Sequence, residues 1–208
     1  RHKTKEKKKY GDISLAQWQP ADIELFQQHY RAEERTVARY WEDVQVGDAL
    51  NTILKGPLTP TAEIAFESYF GIYLVGNKVA SRLLDKHPAL MIPNEQGVPE
   101  PPQRVHWDNH FTQNLLGLPG AYDLGPERCS WLIQGMTDWI GDNGVLTRIE
   151  AKYLKFNYMG DVTWIRGKVL DKFEQEGKAM VRCHVECFNH REEVTAVATA
   201  EAELPRRA

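Results

Sequence analysis

Residues 123–141 read DLGPERCSWLIQGMTDWIG. Leu124, Trp131, Leu132, Met136, Trp139 and Ile140 fall at helical spacing and cover much of the circumference. A helix apolar on most sides belongs deep inside a fold. Gly141-Asp142-Asn143-Gly144 supplies its stop. Downstream the apolar period changes from helical to two, and four runs rich in Val, Thr, Ile and aromatics follow, at 145–158, 163–173, 179–189 and 194–204. The turns between them, Met159-Gly160-Asp161, Glu174-Gln175-Glu176-Gly177 and His190-Arg191-Glu192-Glu193, are short. Short turns predict an antiparallel meander. A buried helix followed by such strands defines an α+β class, a long antiparallel sheet wrapped around a central helix.

Upstream the pattern is looser. Pro20-Ala21-Asp22 opens a helix with an imperfect stripe through about residue 40. Trp41–Asp48 has the look of a strand and a turn. Thr59-Pro60 makes an N-cap and first helical position for a short helix carrying Ile64, Phe66, Tyr69 and Phe70. Residues 73–105 hold five prolines and no clear period, the signature of a functional loop or lid. The division expected is a basic arm and linker helix over 1–40 and one domain over 41–208.

The 208 residues suit one domain plus an arm. No apolar run approaches the ~20 residues of a membrane span, and no signal peptide is evident at the start. Residues 1–9, RHKTKEKKK, carry +5; with −3 overall, the remainder carries −8. An acidic body argues against a nucleic-acid partner, and the basic run reads as a solvated linker. Cys129, Cys183 and Cys187 form no disulfide framework, which points to the cytoplasm. The spacing of Cys183, His184, Cys187 and His190 fits no standard zinc pattern, so no metal is expected.

The chemistry concentrates in residues 104–128, RVHWDNHFTQNLLGLPGAYDLGPER. His106, Asp108 and His110 precede a Gly/Pro-rich turn, with Gly117 and Gly120, that enters the buried helix. A histidine passes protons near neutral pH. A glycine at a helix start aims a backbone N–H along the positive end of the dipole, where an oxyanion can be held. Proton abstraction beside a thioester carbonyl needs both. Simpler roles compete: Asp108 and Asp123 as caps, His110 as an exposed loop residue, Tyr122 as packing, Arg128 in a surface salt bridge rather than on a CoA phosphate.

H-x-D followed by G-L-P-G, with Gly125 eight residues after Gly117, resembles the MaoC-like hotdog-fold hydratases and dehydratases. Their segment reads roughly D-x-N-P-x-H-x-D and then G-F-P-x-P-I-x-H-G. Further likeness lies in RYWEDVQVGDAL, KGPLTPTAEIAF, GAYDLGPERCSWL and TDWIGDNG. Together these are similar to one half of the double-hotdog, fatty-acid-synthase-like acyl dehydratases. The resemblance implies a hotdog fold, an acyl-CoA substrate, no cofactor, and a second hotdog domain as homodimer or heteromer. It puts His106 in the catalytic place and Gly125 at the thioester carbonyl. Asp108 is then a further catalytic candidate, with Tyr122, Asp123, Gly120 and Arg128 binding substrate.

The chain departs from that pattern. The family's aspartate five residues before the histidine is Pro101 here, Gln103-Arg104-Val105 replaces its N-P, and Leu124 replaces the histidine before the glycine. Three readings stay open. Asp108 or Asp123 stands in, a partner hotdog supplies the carboxylate, or this half is catalytically silent and supports a catalytic sister. Thioester hydrolysis on the same fold is a further alternative.

Overall fold

A computed structural model describes residues 13–70 and 78–207. Its centre is helix α5, Gly125–Ile140, with Leu132, Met136 and Trp139 entirely buried. Each such side chain contributes roughly 1.5–3 kcal/mol by leaving water. Around it curls an antiparallel sheet of β1 (Ile53–Lys55), β4 (Val145–Tyr153), β5 (Thr163–Gln175), β6 (Lys178–Asn189) and β7 (Val194–Glu203). Alternate residues face the helix: Ile165 and Val169 from β5, Val181, Cys183, Val185 and Cys187 from β6, and Ala196, Ala198, Ala200 and Ala202 from β7. The alanines keep β7 thin against the helix. Gly135 does the same from the helix side, since a Cβ there would lie 2.8 Å from Ile165 Cγ2.

The strand order is β1-β5-β6-β7-β4. The meander holds for β5, β6 and β7, but β4 pairs with β7 and not with β5, Ile149 opposite Ala200. The Met159-Gly160-Asp161 turn is therefore part of a crossing loop rather than a hairpin. β4 stops at Tyr153, and residues 154–156 leave the sheet to line the site described below.

Other expectations are corrected. Helix α1 spans Pro20–Ala32 only; Glu33 is already extended. Phe26 of α1 packs with Trp18, Leu54, Val162 and Trp164. Residues 41–43 form a 3₁₀ turn, not a strand. Helix α2, Pro60–Phe70, starts as predicted, with Thr59 Oγ1 accepting from Ala62 N at 3.2 Å. The described part of 73–105 is not a bare loop; it holds helix α3 (Lys78–Lys86) and a small pair of β2 (Ile92–Pro93) and β3 (Pro99–Glu100). Residues 73–77, like the basic run 1–9, lie outside the described residues. Cys183 and Cys187 are core residues of β6, while the pleat turns His184 to the opposite face, so that group does not converge. Among the described residues, no helix is long and apolar enough to cross a membrane.

Candidate active site

His106 ends a 3₁₀ turn, Pro102–His106, that delivers it beside the entry to α5. Its Nδ1 lies 2.8 Å from the Tyr122 carbonyl oxygen. A carbonyl only accepts, so Nδ1 carries the proton and Nε2 keeps a lone pair. The ring meets the Tyr122 ring edge-on, centroids 4.7 Å apart. Burial holds the imidazole below the ordinary histidine pKa, against the opposing pull of the Tyr122 carbonyl and Asp123. The neutral form is thus the resting one at neutral pH.

Gly125 is the first residue of α5, where backbone N–H groups have no partner within the helix. Pro126 has no N–H to give, so the amides of Gly125 and Glu127 carry the dipole's positive end. A cavity of about 340 Å³ opens here. His106, Tyr122, Asp123, Gly125 and Arg128 line it, five of the seven residues singled out in the sequence. The rest of its wall is Tyr153 through Phe156. His106 and Gly125 thus line one space.

Two of the seven lie elsewhere. Asp108 is the N-cap of α4 (Asn109–Leu116), accepting from Phe111 N at 2.9 Å, and it pairs with Arg104, Nη2 to Oδ2 at 2.7 Å. Gly120 shapes the turn: a Cβ there would sit 2.7 Å from Asn109 Oδ1, which accepts from Ala121 N. His110 is exposed on α4.

Asp123 does not cap α5; that position belongs to Leu124. Its carboxylate is buried and ringed by four donors. Arg128 Nε reaches it at 2.7 Å, Asn157 Nδ2 at 2.9 Å and Asn157 N at 3.3 Å, and Arg128 Nη2 completes the fork. Burial pushes the carboxyl up, and Arg128 and Asn157 pull it back. Four donors leave no acceptor for a carboxylic proton, so the bound form is the carboxylate. Arg128 makes no surface salt bridge. Its side chain is 3% exposed, and Nη1 donates to Lys155 O at 2.6 Å and Thr195 O at 2.9 Å.

Behind this ion pair lies an acidic layer. Glu63 and Glu67 of α2 and Glu127 of α5 are all buried. Burial, with Glu127 next, pushes Glu63 up to about 10, and burial raises Glu67 and Glu127 as well.

Sequence reasoning missed Tyr153, Phe156, Asn157 and Glu63. Residues 153–157 read as the end of a strand, and nothing in a period-two run says where it leaves the sheet. Burial pushes the Tyr153 phenol up to about 12, so it stays protonated. A Cβ on Gly125 would rest 3.6 Å from Tyr153 Cε2, in ordinary contact. Glu63 and Glu67 fall at i, i+4, which on α2 gave no sign of burial.

No family model matches this chain, and no curated protein matches it in sequence. Its fold has clear counterparts. A MaoC-like dehydratase from Rhodospirillum rubrum superposes with TM-score 0.59 at 18% identity, over 82% of this chain and 99% of that one. The (R)-hydratase PhaJ1 from Pseudomonas aeruginosa gives 0.57 at 14%, over 81% and 86%. A Mycobacterium tuberculosis protein described as a double hotdog fold gives 0.53 at 14%, over 82% of this chain but 45% of that one. The chain has the hotdog fold. Its structural neighbours include MaoC-like dehydratases and (R)-hydratases.

Proposed function

We propose that the chain acts in the reversible hydration of an enoyl-CoA thioester, the reverse being dehydration of the 3-hydroxyacyl thioester. The observation that carries this reading is the cavity shared by His106 and Gly125. The Gly125 N–H and the α5 dipole hold the thioester oxygen as it gains charge. Neutral His106 takes a proton from water at Nε2 while the water oxygen bonds to C3. The imidazolium then returns that proton to C2, so atoms and charge balance with a single base.

A specific observation favours the supporting-half alternative beside it. Asp108 and Asp123, the carboxylates offered as stand-ins, are both committed to other partners. A second carboxylate at the site then comes from another hotdog domain. The edge of β4 not paired with β7 ends at cavity residue Tyr153, which suits a partner there. Incubation of the purified chain with crotonyl-CoA tests the proposal, following loss of enoyl absorbance against release of free thiol. Hydration by the chain alone supports the enzyme reading. Turnover only after a second hotdog subunit is added supports the alternative, and thiol release shows hydrolysis instead.

A further inference from the structure

The peptide joining Tyr122 to Asp123 is held on both sides. Its C=O accepts from His106 Nδ1 at 2.8 Å, and its N–H donates to Asn157 O at 2.9 Å. A peptide is planar, so fixing its N–H fixes the direction of its C=O. The Asp123 side chain adds the second anchor, tied to Asn157 and to the Arg128 fork. Arg128 in turn reaches Lys155 O and Thr195 O, fastening the loop to the sheet between β4 and β7. Ala121 O accepting from Met159 N at 3.0 Å completes the seam.

We infer that Asp123, Arg128 and Asn157 are positioning residues that set the tautomer and aim of His106 through the Tyr122–Asp123 peptide. None of them needs to touch the reacting atoms. An imidazole can carry its neutral-state proton on either nitrogen, and the one that faces a fixed acceptor keeps it. With Nδ1–H held by a rigid carbonyl, Nε2 is the base at all times. The inference rests on the proposed hydration for its use, but the tautomer is measurable without any turnover.

The test is a ¹⁵N–¹H correlation spectrum of the imidazoles in protein labelled at histidine, with His106→Gln giving the assignment. Wild type should show Nδ1 protonated and Nε2 bare over the neutral range. A wild-type spectrum with Nε2 protonated, or with the proton divided between the two nitrogens, overturns the inference even where no variant folds. Arg128→Lys keeps the charge and loses the fork; Asn157→Ala removes one tie and keeps the ion pair. In whichever variant stays folded by circular dichroism, the Nδ1–H tautomer should give way to a mixture. Crotonyl-CoA hydration should lose about a hundred-fold in kcat with KM little changed, the scale of a small misplacement of a catalytic group. A folded variant whose His106 tautomer is unchanged overturns the inference whatever its activity. A wild type with the expected tautomer and no hydration refutes the proposed reaction and leaves the positioning role standing.

Discussion

Glu63 of α2 and Glu127 of α5 are both buried, and the charge of Glu127 adds to burial in raising the Glu63 carboxyl. Two buried carboxyls that repel one another favour the state in which the pair holds a proton. Asp123 and Glu67 add negative charge around it, and Lys55 and Arg128 offset part of it at Glu127.

The pH dependence follows. Glu63 is raised from its ordinary range to about 10, so between those limits the folded chain holds a proton that the unfolded chain has released. Stability is complete below the unfolded pKa and is lost as pH rises towards 10, by at most about 1.4 kcal/mol per pH unit. Glu63→Gln is neutral at every pH and keeps the shape of the protonated acid. Its Tm should equal that of wild type near pH 4 and exceed it by several degrees at pH 8. A difference constant with pH would show that the carboxyl does not titrate this way.

His106→Gln should fold like wild type and lose about 10²–10⁴-fold in crotonyl-CoA hydration, the usual worth of a general base. The acid limb of wild-type activity should fall below pH 6.5, because burial lowers the His106 pKa and the neutral ring is the working form. An acid limb above 6.5 would mean that another group is titrating.

Two glycines of α5 should behave in opposite ways. Gly125→Ala places a methyl in ordinary contact with Tyr153, at the cavity wall. Tm should hold and kcat should fall. Gly135→Ala drives a Cβ to 2.8 Å from Ile165, and overpacking costs about 1–3 kcal/mol, against about 1 kcal/mol of helix propensity regained. A net loss in Tm is expected. Thermal melts of both variants check the contrast.

The open side of β4 predicts assembly. Val145 and Tyr153 are exposed at its ends, and Leu154 just beyond it. Light scattering at micromolar concentration should report a dimer, or a stable complex once a hotdog partner is added. A lone monomer under both conditions would contradict it.

The central helix was legible because Trp131, Leu132, Met136 and Trp139 cover much of its circumference, a property of the sequence alone. The faces of β5, β6 and β7 were legible for a similar reason. The neighbour of β4 was not: alternation says which face is buried, never which strand lies alongside. At the site, His106 and Gly125 carried a spacing, and that spacing survives in one cavity. The role of Asp123 stayed hidden because its acceptors' partners, Arg128 and Asn157, come from the helix and from a distant loop. A residue before a helix reads as a cap until such partners are in view.

A structure of the chain with a non-reactive acyl-CoA analogue tests the account most directly. The thioester oxygen should sit 2.7–3.1 Å from Gly125 N, about the distance an oxyanion donor needs. The analogue's C2 and C3 should face His106 Nε2. An analogue bound with its thioester away from that amide, or with His106 turned from the acyl carbons, would contradict it.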